Sequence, residues 1–114
     1  SQNAMRFHGR VAIDPVYNGL ALDAREGERI ARGMGGGDIA FLANHGVIVC
    51  GTHIAHAFDD LYYLERACMA QVLAQSSGIA LAPASADTAA HVAEQTRGER
   101  LQSDLFFEAL RRRL

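Results

Sequence analysis

Five histidines are the residues of this chain best suited to bind a metal or move a proton near neutral pH, and their positions divide them into three kinds. His45 stands in Asn44-His45-Gly46, between the apolar, β-prone runs Ile39 to Ala43 and Val47 to Cys50. That pattern predicts a hairpin or tight bend with His45 at its tip, where the flanking glycine permits close approach of another group and the ring can be offered to a cleft. By position alone, a turn histidine making local hydrogen bonds is the ordinary alternative. His53 and His56 are three apart at the expected start of a long helix, a spacing that puts two imidazoles on one face and could serve a metal. No carboxylate pattern such as HExxH accompanies them, so solvated histidines near a helix terminus are the plainer reading. His8 and His91 each stand alone.

The 11 basic residues are all arginines. These residues therefore offer no lysine for a Schiff base or for gripping a phosphate, and carbonyl chemistry among them falls to a metal or to acid/base side chains. The cluster Gly33-Met34-Gly35-Gly36-Gly37 is not a phosphate cradle, because a helix precedes it and a strand follows, the reverse of the order such loops need. It reads as the end of a helix with positive-φ positions. Arg111 to Arg113 read as a solvated helix end that complements the macrodipole. Cys50 and Cys68 form no CxxC pair and read as buried free thiols of a reducing compartment.

The elements that must position these residues follow from periodicity. Val11-Ala12-Ile13 is a short extended segment, closed by Asp14-Pro15 and a Tyr17-Asn18-Gly19 turn. Asp23 and Glu26 make a capping-box-like pair opening a helix through Ile30, Ala31 and Met34. After Gly51 the period changes, and Ile54, Ala57, Phe58, Leu61, Leu64, Cys68 and Val72 mark the buried stripe of a helix of about five or six turns. Asp59, Asp60, Tyr63 and Arg66 then fall on its other sides. Thr52 is its expected N-cap and Ser76-Ser77-Gly78 its stop. A loop containing Pro83 leads to a helix capped by Ser85 or Asp87, and Ser103 is the expected cap of a last helix carrying Leu105, Phe106, Leu110 and Leu114.

At 114 residues and 12.3 kDa the chain is one small domain or a piece of a larger one. A net charge of −2 provides no basic field for nucleic acid, no apolar run approaches the length of a membrane span, and Ser1 to Arg10 contains no signal-peptide core.

The run Phe41-Leu42-Ala43-Asn44-His45-Gly46-Val47-Ile48-Val49-Cys50-Gly51, followed by Leu64-Glu65-Arg66-Ala67-Cys68 and Gln71, resembles the class II aldolase/adducin head-domain family. Arg10-Val11-Ala12, Tyr17-x-Gly19 and Glu26-Gly27-Glu28-Arg29-Ile30 look like its adducin-like branch, and Phe107-Glu108-Ala109-Leu110-Arg111 is similar to a segment near that branch's end. The resemblance implies an α/β fold, part of a three-layer αβα domain with a mainly antiparallel sheet. It implies a metal-dependent enzyme in which three histidines hold a divalent cation, usually zinc, with His45 as the ligand from the Asn-His-Gly motif. The reaction implied is aldolase-type, on a small sugar phosphate or hydroxy-carbonyl, through a metal-stabilised enediolate.

The family's other two histidines form an HxH motif, and none occurs in these residues. Its acidic catalytic residue also precedes HxH, so no catalytic residue is assigned. The opening Ser1-Gln2-Asn3-Ala4-Met5 is expected to be native sequence rather than a tag, and residues 1–114 to be the later part of a single domain, inactive alone. A homo-oligomer, tetrameric by resemblance, acting in the cytoplasm on a small molecule is the expected setting, without nucleic-acid or membrane partners. A non-catalytic adducin-like assembly module, or an inactive truncated product, is the alternative.

Overall fold

Three short strands, β1 (Val11–Asp14), β2 (Ile39–Leu42) and β3 (Gly46–Val49), form a mixed sheet of order β1-β2-β3 in the computed structural model, which describes residues 1–114. Helices in chain order are α1 (Gln2–Met5), α2 (Ala24–Gly33), α3 (Ile54–Ser76), α4 (Ala86–Gly98) and α5 (Arg100–Arg111). The chain divides into two units: Gly9–Cys50, which contains the sheet and α2, and Ser1–His8 with Gly51–Leu114, which contains the other helices.

In the sheet unit, β1 runs parallel to β2, with Val11 opposite Ile39 and Asp14 opposite Leu42. A parallel pair needs a crossover connection, and α2 supplies it. The Asp23 carboxylate caps α2 by accepting the Glu26 N–H at 3.0 Å, as the capping pair predicts. Past Met34 the chain turns through Gly35 and Gly36, with φ of +57° and +85°. At Gly37 a Cβ would stand 2.8 Å from the Arg10 carbonyl oxygen, so the backbones can pass only because the side chain is absent. β2 then pairs with β3 antiparallel through a three-residue turn. As the central strand it is the most buried, with Ile39 and Ala40 0% and 1% exposed. The α/β expectation holds, with one parallel and one antiparallel strand pair.

In the helical unit, the Ser1 hydroxyl accepts the Ala4 N–H and so caps α1, and the Ser85 hydroxyl accepts the Thr88 N–H at 3.1 Å to cap α4. Phe7, Leu64, Ala67 and Ala93 are buried apolar residues of this unit. Three expectations fail here for local reasons. His53, not Thr52, is the N-cap of α3 and makes no side-chain capping bond, while the Thr52 hydroxyl is engaged by the His56 ring. Helix α5 begins at Arg100, so Ser103 lies inside it and is buried, with its hydroxyl turned to Asp59. The buried face of α3 is also rotated from the predicted stripe. Ala55, Asp59, Asp60, Leu64 and Ala67 are buried, whereas Ile54, Leu61 and Val72 are exposed, because two arginines take Asp59 and Asp60 into the interior. Both cysteines are free, as expected, but Cys50 is exposed and Cys68 only half-buried. Burial and the nearby Glu65 charge push the Cys68 thiol up, which keeps it protonated.

Candidate functional site

The Asn-His-Gly turn is fixed from both neighbouring strands. Asn44 adopts φ of +56°, a conformation that asparagine tolerates better than most residues, and Gly46 follows at +144°. The His45 N–H donates to the Leu42 carbonyl at 3.1 Å, closing the turn. The Ala43 N–H donates to the Asp14 carbonyl at 2.9 Å, which carries the β1–β2 ladder into the turn. His45 is thus held at the apex between two strands with its side chain exposed, as its place in the sequence predicts.

Asp14 ends β1 at the same end of the sheet, opposite Leu42. Its Oδ1 accepts the Val16 N–H at 3.0 Å and Arg29 Nη1–H at 3.0 Å, and its Oδ2 lies 2.8 Å from Arg29 Nη2. Arg29, on α2, also donates Nε–H to Glu26 at 3.0 Å, and Glu26 accepts from Asn18 at 3.2 Å. The hydrogen bond from Arg29, reinforced by the Val16 N–H, holds the Asp14 carboxyl below its ordinary value. Glu26 is lowered likewise, by Arg29 first and Asn18 second. One guanidinium therefore ties the end of β1, the first turn of α2 and the loop of residues 15–22 into one charged unit. A small cleft of about 10 Å³ lies between that loop and the turn, lined by Asp14, Tyr17, Arg29 and His45 among others. The larger concavity nearby, about 490 Å³ along Asn18, Leu20, Arg25 and Arg32, is open to solvent.

The other histidines fall elsewhere. His8 and His91 are exposed. His53 and His56 do lie together, with ring centroids 3.8 Å apart, and Asp104 of α5 joins them. Nothing in the spacing pointed to Asp104, which is 48 residues from His56 in sequence. A second group missed by the periodicity is the buried ion network. Arg6 Nη2–H donates to Asp59 at 2.6 Å and to Asp60 at 3.3 Å, and Arg100 donates through both terminal nitrogens to Asp60 at 3.1 and 2.7 Å. The Ser103 hydroxyl donates to Asp59 at 2.9 Å, and the Arg6 guanidinium lies over the Tyr63 ring. The signal available in the sequence was an acidic pair inside a helix otherwise rich in apolar residues.

Comparison with known proteins places this geometry. The model of the family described as Class II Aldolase and Adducin N-terminal domain matches residues 1–72, which span α1, the sheet unit and most of α3. A Pseudomonas aeruginosa protein provisionally named an aldolase class 2 protein is 42% identical over 66 residues, 58% of this chain and 26% of its own length. A Caulobacter vibrioides protein with the same provisional name is 40% identical over 73 residues, covering 61% and 28%. The crystal structure of an aldolase II superfamily protein from Pseudomonas syringae superposes with a TM-score of 0.79 at 34% identity, over 99% of this chain and 45% of that one. The chain thus spans about a quarter of the length of those two curated relatives.

Proposed function

The chain belongs to the class II aldolase and adducin N-terminal domain family, and from that premise we propose that it is the later part of a three-layer αβα domain, with a mainly antiparallel sheet, of a metal-dependent aldolase-type enzyme. Its contribution to the metal centre is His45. The observation that supports this is the turn itself: an exposed histidine whose backbone is fixed at the end of a central strand by the bond from its N–H to Leu42 and by that from Ala43 to Asp14.

The donor chemistry fits one ligand of such a centre. A neutral imidazole is a common zinc donor, and a catalytic zinc takes about three protein ligands and keeps one open position. The remaining donors, and the acidic group that moves the proton, belong to parts of the domain beyond these residues. When bound, a divalent cation supplies Lewis-acid polarisation of the substrate's hydroxyl and carbonyl oxygens. The residues of this chain do the rest of the local work. Strand pairing and the left-handed Asn44 fix the backbone that carries His45, and the Asp14–Arg29–Glu26 unit holds the loop of residues 15–22 beside it. The substrate class in this proposal is a small sugar phosphate or hydroxy-carbonyl.

The exposed apolar side chains of α3, Ile54, Leu61 and Val72, suit a segment whose surroundings include further parts of the domain or other copies of it, consistent with a homo-oligomer. No helix is long and apolar enough to cross a membrane. The test is metal content and carbon–carbon cleavage in the protein extended by the rest of the family domain. His45→Ala should lose one equivalent of divalent metal by elemental analysis and reduce kcat by more than about a hundredfold. Unchanged metal content in His45→Ala would refute His45 as a ligand.

A further inference from the structure

We propose a second divalent-metal site, formed by His53, His56 and Asp104 in the helical unit and using none of the residues of the Asn-His-Gly turn. One donor atom from each residue lies within 4.8 Å of the other two. Asp104 Oδ1 stands 3.5 Å from His56 Nε2 and 3.7 Å from His53 Nε2. Donors bound at about 2.0–2.2 Å to one tetrahedral ion stand about 3.3–3.6 Å from each other. The two measured separations are therefore close to the edges of such a tetrahedron, and too long for good hydrogen bonds.

His56 supplies the strongest independent sign. Its Nε2 is buried without a hydrogen-bond partner. The hydroxyl of Thr52 lies 3.0 Å from its Nδ1 and can accept the Nδ1–H, the tautomer that leaves the Nε2 lone pair free toward His53 and Asp104. An orphaned imidazole nitrogen facing a carboxylate and a second imidazole is a ligand set awaiting a cation rather than a hydrogen-bonded cluster.

The scaffold holds this arrangement. His53 is the extended N-cap of α3 and His56 lies in its first turn, so the two rings project together. The chain enters that turn tightly, since a Cβ on Gly51 would stand 2.6 Å from the Ala57 nitrogen. Asp104 follows Ser103, whose hydroxyl is bonded to buried Asp59, so the ion network between α3 and α5 also fixes where Asp104 sits. Two imidazole nitrogens and one carboxylate oxygen suit Zn²⁺, Co²⁺, Ni²⁺ or Cu²⁺ rather than Mg²⁺ or Ca²⁺, with the fourth position left to water.

The experiment titrates Co²⁺, read by the visible absorption of a four-coordinate ion, and then Zn²⁺, read by calorimetry, into the purified 114-residue chain and into its His45→Ala variant. One equivalent should bind in both, and Zn²⁺ should displace Co²⁺. His56→Gln and Asp104→Asn should each weaken Zn²⁺ binding by more than about tenfold, whereas His91→Ala should leave it unchanged. His53 and Asp104 are about half exposed, so circular dichroism of His53→Gln and Asp104→Asn should match the parent and separate lost ligation from lost folding. Absence of uptake by the folded parent, or uptake undiminished in the His56 and Asp104 variants, overturns the site. Uptake lost only in His45→Ala also overturns it, while supporting the turn as a ligand.

Discussion

The two units bury their arginine–carboxylate clusters to different degrees. In the sheet unit, Arg29, whose side chain is 29% exposed, joins the buried Asp14 carboxylate to Glu26, and the result is a shaped surface beside His45. In the helical unit, Arg6 and Arg100 converge on Asp60, whose side chain is 1% exposed, and the result is a core that locks α1, α3 and α5 together. The same chemistry therefore does different things according to solvent access. In the sheet unit the one arginine keeps access to water although Asp14 is buried, and the pair mainly orders a loop; in the helical unit Arg6, Asp59 and Asp60 are all buried, so removing one leaves the others in a poor solvent.

The sharpest way to break this contrast is Asp60→Ala. It leaves both guanidinium groups without their shared carboxylate, and loss of one member of a buried ion cluster costs about 3–5 kcal/mol. That is a large share of the roughly 5–15 kcal/mol that stabilises a typical domain. Urea unfolding should show a correspondingly lowered midpoint. An Asp60→Ala protein unfolding within about 1 kcal/mol of the parent would mean that water reaches the network and that the two units do not differ as described.

A smaller effect is expected at Asp14, and it carries a pH signature. The native carboxyl titrates below its unfolded value of 3.8, because Arg29 and the Val16 N–H favour the charged form. Stability from this group is fully present above that unfolded value and is lost as pH falls through the lowered native one. Urea midpoints measured from near neutrality down into the acid range should therefore separate parent from Asp14→Asn above the ordinary carboxylate range and converge below it. A gap that persists in strong acid would place the Asp14 effect in packing rather than in charge.

Much of the sheet unit was legible in the sequence, because its signals are local. Asp23 and Glu26 three apart gave a helix start, Gly35 to Gly37 its end, and Asn44-His45-Gly46 between two apolar runs gave the turn that the structure contains. The helical unit was read less well. Its periodicity puts Asp59 and Asp60 off the apolar stripe, since apolar spacing cannot anticipate arginines arriving from residues 6 and 100. The same error shifted the buried stripe of α3 and turned Ser103 from an apparent cap into a buried donor. His53 and His56 were visible as a pair at helical spacing. Their third member was not, because Asp104 reaches them only through packing of α3 against α5.

The smallest effect should come from Arg32, and it tests whether exposure rather than the number of ion pairs sets the outcome. Arg32 Nη1 lies 3.6 Å from Glu28 Oε2 across one turn of α2, with both side chains about 70% exposed. A solvated i,i+4 pair contributes about 0.3–0.5 kcal/mol, and alanine's higher helix propensity returns part of that. Arg32→Ala should therefore move the urea midpoint by an amount near the error of the measurement. A loss comparable to that at Asp60 would show that Arg32 has a partner beyond Glu28, and that the rim of the sheet unit is an ion network in its own right.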